Sequence, residues 1–462
     1  MFYKKIKSKG LAHFSYFIGD ENEAAVIDPR RDIDIYLEEA EKEGAEIKYI
    51  FETHRNEDYI IGSKALASVT GAEILHADGE LDYKYGKEVE QDKKYKLGRL
   101  SIEALHTPGH TKGSHSYILN DYDDQPWMIF TGDILFANDV GRIDFYGEEN
   151  IPEIAALLYD SLYNKIMPLG DGVIVCPAHG AGSVCGSQIA DREMTTIGIE
   201  KKSNPYLQYQ SKAEFVSEVG EMEAKPQYFK AMEAANLAAP ARTDLPFVKA
   251  LKPNIFEEKA AQKDHVVIDI RSESDFASAH VPSALFLREN ILASFIGWFT
   301  ATDKKILLVS DGSYPEETIR TLYRMGYENI EGYLYRGMLS WNMAAKESSS
   351  VTTANISDFC NFIKDKNKDQ YLLLDIRKEE EKEEEGYLES AVEIPLNDLQ
   401  ADLNNYLAKL DSKKDIFIFC GSGIRSMTAA SLINAKLEAE IKVVLGGLTA
   451  WAESKCILKI KK

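Results

Sequence analysis

The C-terminal half of this chain is written twice. HVVIDIRSESDFASAHVPSA (265–284) returns as YLLLDIRKEEEKEEEGYLESA (371–391), and KKILLVSDGSYPEETIRTLYRMGYENIEGYLYRGMLSW (304–341) returns as KKDIFIFCGSGIRSMTAASLINAKLEAEIKVVLGGLTAW (413–451). Asp269 and Asp375 stand 106 residues apart, and Trp341 and Trp451 stand 110 apart. A period of that size is domain-sized and marks a duplicated domain, far longer than a solenoid repeat. In each copy buried-strand runs (VVIDI and ILLVS, then LLLDI and IFIFC) alternate with helical segments, the pattern of a parallel sheet covered by helices.

The first 200 residues follow another rule. Short strand-like runs (AAVIDP, IKYIFE, SIEALHTPG, PWMIFTGD, GVIVCPAHG) end in polar or Gly-rich loops and alternate with helical patterns such as IDIYLEEAEKEG. His, Asp and Gly gather just after these strands, where loops carry chemistry on a rigid scaffold. Residues 200–247 change character, with prolines at 226, 240 and 246, and read as a short helical region followed by a connector. The expected division is 1–247, 248–350 and 355–462, within the range of domain counts that 462 residues permit. The acidic run KEEEKEEE (378–385) reads as a solvated face in a loop or first helical turn.

Charge excludes some functions. With 75 acidic and 54 basic residues the net charge is −21, a field that repels nucleic acid and anionic membrane surfaces. No apolar run reaches the ~18 residues that span a bilayer, and the N-terminus lacks a signal-peptide core, so a soluble cytoplasmic protein is expected. Five cysteines, odd in number and widely spread, argue against a disulfide framework. Cys176 reads as core, and Cys360 and Cys456 as structural.

Four places in the first 200 residues hold candidate metal ligands: His54 with Asp58, His110 in HTPGHT, Asp133 in FTGDILF, and His179 in CPAHG. A lone His near a strand end is usually a hydrogen-bonded structural residue, but four such positions at four strand ends predict a metal site. His13, His106 and His115 lack matching partners and read as structural.

On these motifs residues 1–230 resemble the metallo-β-lactamase superfamily, which implies an αββα sandwich. The family's first ligand loop reads HxHxDH. Here it is THRNEDY, with Asn56 in place of the second His and Tyr59 in place of the last. A two-metal hydrolytic centre needs both. His54, His110 and Asp133 survive, two imidazoles and a carboxylate, a set that suits one Fe(II) per chain with open positions, although zinc also fits it. The chain is similar to the persulfide dioxygenase branch of the superfamily, whose iron is held at positions matching these three. The same resemblance puts Arg142, in GRIDFYG, near the substrate sulfur; the alternative is a surface or helix-capping Arg. Asp58 and His179 then orient ligands, and Tyr59 either hydrogen-bonds a ligand or packs. Cys185, in HGAGSVCG, is either a small buried residue or a thiol that relays sulfur.

Cys420-Gly421-Ser422-Gly423-Ile424-Arg425-Ser426 lies between the strand run IFIF and the helical pattern MTAASLINAKL. Backbone N–H groups and a helix start around a cysteine make an anion cradle and an activated sulfur nucleophile. The loop resembles the rhodanese pattern CxxGxR[ST], supported by LLLDIR and GGLTAW over residues 355–462, and the resemblance implies Cys420 as sulfur carrier with Arg425 in its anion loop. In the first copy Ser310 stands where Cys420 does, and DGSYPEE replaces the cradle, so residues 248–350 read as a silent rhodanese homology domain.

The expected whole is an α/β multidomain chain: an αββα domain followed by two rhodanese-like domains with parallel sheets. Its expected chemistry is oxidation of a small thiol persulfide to sulfite by dioxygen, coupled to sulfur transfer at Cys420 that forms or uses thiosulfate. Fusion raises the effective concentration of the shared intermediate. No nucleic acid or membrane partner is expected, and a homo-oligomer is. The alternatives are a two-metal glyoxalase-II-like thioester hydrolase and a persulfide carrier or sensor that does not oxidise.

Overall fold

The computed structural model describes the chain apart from positions 187, 193, 221, 223, 224, 227, 366, 367, 402, 411–413, 435, 438, 455, 457–459 and 462. It divides into two compact units, Met1–Pro246 with Arg320–Glu328, and Phe247–Ile319 with Asn329–Lys462.

The first unit holds two six-stranded sheets. One runs in the order Phe2–Ser8, His13–Asp20, Glu23–Ile27, Glu46–Glu52, Glu73–His76, Lys87–Glu88; the other in the order Thr195–Thr196, Ile174–Pro177, Pro126–Gly132, His115–Asn120, Leu100–His106, Lys94–Leu97. Side chains alternate across each strand, so both faces of each sheet must be covered. Tyr16, Ile18 and Phe51 of the first sheet meet Ile102, Tyr117 and Phe130 of the second in one core. Phe17, Val26 and Ile50 face the other way, against Tyr36 and Leu66 of the helices Asp34–Glu43 and Ser63–Thr70. Ile118, Ile129 and Val175 likewise pack on Ile154 and Leu158 of the helix Ile151–Tyr159. The result is an αββα sandwich, as expected from the sequence.

Residues 320–328 join this unit through buried charge. Arg324 forks onto Asp32, with Nε and Nη2 each 2.7 Å from a carboxylate oxygen, Arg31 pairs with Glu328, and the Ile60 N–H donates to the Arg324 carbonyl at 2.8 Å.

The second unit contains two five-stranded sheets of identical plan. Ala250–Leu251, Ile330–Leu334, Lys305–Val309, His265–Asp269 and Leu285–Phe286 form one; Thr352–Ala354, Ile441–Val444, Asp415–Phe419, Tyr371–Asp375 and Val392–Glu393 form the other. Every pairing within them is parallel. The duplication read from the sequence is thus a duplication of topology. Both repeats contribute to a shared core that includes Phe286, Leu307, Leu399 and Ile433.

The structure corrects one expectation. Cys360 and Cys456 form a disulfide across 96 residues, with Cα atoms 5.3 Å apart. The helix Ile356–Asp365 carries Cys360, and both cysteines pack in the cluster of Phe359 and Trp451, so tertiary packing joins what sequence spacing keeps apart. Among the described residues no helix is long and apolar enough to cross a membrane.

Candidate metal centre and cysteine loop

The strand Glu46–Glu52 ends at Thr53, and the loop that follows is held by buried hydrogen bonds. Asp28 accepts from the Thr53 N–H and hydroxyl, both at 2.8 Å, and Thr53 Oγ1 lies 2.9 Å from His54 Nδ1. When Asp28 is ionised the Thr53 proton goes to it, and the Thr53 oxygen accepts from His54 Nδ1–H, which leaves His54 Nε2 with a free lone pair. His110 is fixed in the same tautomer. Its Nδ1 donates to the Arg142 carbonyl at 2.8 Å, so in the neutral ring Nε2 carries the lone pair; against burial, Glu57 and Asp133 raise this ring above its usual range.

The two lone pairs converge on one carboxylate. Asp133 Oδ2 lies 3.8 Å from His54 Nε2 and 3.6 Å from His110 Nε2. Gly141 backs this arrangement: a Cβ there would stand 1.8 Å from the Asp133 carbonyl oxygen, so only glycine fits. His110 Nε2 and Asp133 Oδ2 are buried without a hydrogen-bond partner. Such atoms cost about 1–3 kcal/mol each unless something satisfies them, and acceptors that face one another ask for a cation. The donor set therefore fits a divalent metal ion.

The other half of the site is closed by direct bonds. His179 Nδ1 lies 2.8 Å from Asp133 Oδ1 and its Nε2 lies 3.0 Å from Asp58 Oδ2. With an acceptor on each side the ring donates twice, as an imidazolium. Burial opposes that charge, but Asp133 and Asp58 raise His179 well above its usual range. Against its own burial, Asp133 in turn is held well below the carboxylate range, by His179 first and then by His54 and His110.

The remaining expected residues fall around this centre. The Tyr59 hydroxyl is buried without a hydrogen-bond partner, and its ring packs 4.0 Å from that of His13, which sequence reasoning had read as structural. The Arg142 guanidinium is forked onto Asp144 at 2.7 Å twice, and its carbonyl accepts from His110 Nδ1 at 2.8 Å. Cys185 is buried with Phe136 and Ile189. Its sulfur is within 4.8 Å of ligand atoms of Asp58 and His179, and likewise of His110 and Asp133. Burial, then Asp58 and Asp133, push that thiol well above its usual range. Sequence reasoning missed Glu57, which joins His54 and His110 in a third such group. Its signal was present: an extra carboxylate inside the ligand loop.

Asp28 allows a test of the loop's electrostatics. Burial raises its carboxyl to about 7 despite the Thr53 hydrogen bonds. An unfolded aspartate ionises near ~3.9, so between about pH 4 and 7 the folded chain keeps a proton that the unfolded chain has lost. Stability conferred by the protonated group is lost as pH rises through that window, on the order of 2–4 kcal/mol in all. The Tm of Asp28→Asn, measured with chelator present, is expected to gain on wild type from pH 4 to 7. Parallel profiles would contradict it.

In the second unit the strand Asp415–Phe419 delivers Cys420 to a tight loop, and the helix Ile424–Asn434 begins within it. The Gly423 N–H points at Cys420 Sγ, 3.0 Å away. The loop is fastened from behind: Leu448 N–H donates to the Cys420 carbonyl and Thr449 N–H to the Gly421 carbonyl, both at 3.0 Å. Gly447 makes this possible, since its φ is +50° and a Cβ would lie 2.2 Å from the Cys420 carbonyl oxygen. Arg425 is paired with Glu381, with Nη1 2.6 Å from Oε2. The acidic run is therefore more than a solvated face: it forms the helix Glu379–Glu385, and Glu385 also pairs with Arg377 at 3.0 Å. In the other repeat the place of the sulfur is taken by Ser310 Oγ, which donates to the Ser313 carbonyl at 2.8 Å and accepts from the Gly312 N–H at 3.3 Å.

The superfamily profile described as metallo-beta-lactamase matches residues 9–179, and the rhodanese-like domain profile matches 252–344 and 361–454. The persulfide dioxygenase ETHE1 of Homo sapiens, a mitochondrial protein, is 30% identical over 246 residues, which cover 50% of this chain and 85% of that one. The hydroxyacylglutathione hydrolase GloC of Haemophilus influenzae is 28% identical over 213 residues, 42% of this chain and 91% of that one. A solved metallo-beta-lactamase structure from Staphylococcus aureus superposes with a TM-score of 0.64 at 27% identity, covering 72% of this chain and 98% of that one. The chain belongs to the metallo-beta-lactamase superfamily, here joined to two rhodanese-like domains. Within that superfamily it resembles persulfide dioxygenases fused to rhodanese, and its homologies place it in sulfur metabolism.

Proposed function

We propose that the chain oxidises a low-molecular-weight thiol persulfide at one Fe(II), held by His54, His110 and Asp133, and transfers sulfane sulfur at Cys420. The observation that supports this best is the asymmetry of the centre. Unpaired acceptor atoms of His110 and Asp133 face each other beside His54, whereas both nitrogens of His179 are already bonded to carboxylates.

Bound Fe(II) would supply the one-electron chemistry that lets dioxygen react with a persulfide. The overall reaction balances as RSSH + O2 + H2O → RSH + sulfite + 2 H+. The chain's own residues prepare it. The Arg142 carbonyl and the Asp28–Thr53 pair hold both imidazoles with Nε2 unprotonated, and His179 holds Asp133 ionised. Phe145, whose ring stands 4.9 Å from that of His110, keeps water from one side. At the second site a Cys420 persulfide gives its outer sulfur to sulfite. The S–S bond breaks, a new S–S bond forms thiosulfate, and the Cys420 thiolate leaves; the reverse reloads it. The Gly423 N–H next to Sγ stabilises that thiolate.

Anaerobic metal analysis with persulfide-dependent oxygen uptake tests the first half. One iron per chain and uptake lost in His110→Ala are expected, and uptake that survives the substitution would refute the assignment. A second reading, a two-metal thioester hydrolase, draws on the approach of Asp58, His179 and Cys185 within 4.8 Å. It requires two zinc ions per chain.

A further inference from the structure

We propose that Glu57 takes the ligand place vacated at position 56, so that His54, Glu57, His110 and Asp133 together bind one divalent ion. This rests on the metal-centre reading above and adds to it a residue that the loop's substitutions alone would not suggest.

Asn56 does not fill the place itself. Its side-chain amide turns back toward its own loop, 3.4 Å from the His54 carbonyl, and its Oδ1 has no partner. The next residue does the opposite. Glu57 is completely buried, its Oε1 is held by Arg55 Nη2 at 2.8 Å, and its Oε2 is aimed at His110 Nε2, 3.7 Å away, with no hydrogen bond of its own.

Glu57 Oε2 and Asp133 Oδ2 thus each approach His110 Nε2, and none of these three buried atoms has a hydrogen bond. A proton on His110 would pair the ring with both carboxylates only as ion pairs, across 3.6 and 3.7 Å, too long for hydrogen bonds. A metal ion would bring the same atoms to bonding distance. Ligand atoms ~2.1 Å from a common ion stand about 3–3.5 Å from one another, and the spacings of Glu57 Oε2 and Asp133 Oδ2 from His110 Nε2 exceed that by only a few tenths of an ångström. Arg55 acts as the positioning residue: by occupying Oε1 it fixes which oxygen enters the site. Two carboxylates and two neutral imidazoles balance the charge of a divalent cation, and ligand charge count is a main determinant of affinity at oxygen-rich sites. The two substitutions are therefore coupled, one removing a neutral ligand and the other supplying an anionic one.

The test is an anaerobic titration of metal-free full-length protein with Co(II), read by chelator competition and by the visible Co(II) absorption. Wild type is expected to bind one ion. Glu57→Gln, which keeps shape and can still bond Arg55, should bind at least ~10-fold more weakly and with an altered spectrum. Glu57→Asp, which withdraws the oxygen by one methylene, should fall between them, and both metal-free variants should melt close to wild type. If Glu57→Gln and Glu57→Asp both keep wild-type affinity and spectrum while His110→Ala loses the ion, the Glu57 assignment is overturned and the three-residue centre stands. Wild type that takes up no Co(II) overturns both.

Discussion

Cys420→Ser is expected to abolish sulfur transfer, by on the order of 10³-fold or more, as removal of a nucleophile does, and to leave persulfide-dependent oxygen uptake intact. Serine matches cysteine in size, and the loop's fastenings to Leu448 and Thr449 are backbone bonds that do not involve the sulfur. The fold should therefore survive. What is lost is the atom that carries sulfur. Mass spectrometry after persulfide treatment should find ~32 Da added to Cys420 in wild type and not at that position in the variant. Transfer that persisted would move the reaction to another thiol. Cys176 and Cys185 are the other free cysteines, and burial raises both thiols out of the reactive range.

The second large effect is expected from Asp133→Asn, which should remove metal binding, by roughly 10²-fold or more, and give up the buried charge pair with His179. Asparagine fits the same volume. Its carbonyl oxygen can still serve His179 at the position of Oδ1, and its amide then faces His54 and His110, where Oδ2 now lies 3.8 and 3.6 Å from their Nε2 atoms. A donor in that place satisfies the two lone pairs and excludes a cation. Metal analysis should find the variant empty, and its melting temperature should lie below that of metal-free wild type, because the ionised Asp133 stabilises the folded chain. An Asp133→Asn protein that retained iron and oxygen uptake would show that Asp133 is not a ligand.

Much of this was legible in the sequence because it is local or periodic. The duplication appears as one sheet order used twice, since apolar runs at matched offsets leave a parallel sheet few alternatives. His54, His110, Asp133 and His179 were readable because each ends a strand of the sandwich, and strand ends on one side of two packed sheets meet. Other features escaped for physical reasons. Glu57 was hidden by attention to which histidines were missing, when side-chain reach and an arginine clamp decide what enters the site. The pairing of Arg425 with Glu381 joins residues 44 apart through a helix that looked like a polar run. Residues 320–328 carry the repeat's period but cluster with the first unit, because Arg324 finds its carboxylate in Asp32. The Cys360–Cys456 bond depends on tertiary packing that spacing does not encode.

The position of His179 has one more consequence. A proton on this imidazole does the electrostatic work that a second cation does in a two-metal hydrolase. It sits between Asp58 and Asp133, counters their charge in a buried place, and leaves the inner carboxylate free on one side only. On the one-metal reading proposed above, a singly charged ring stands in for a dication and lets the scaffold keep its acidic residues in position.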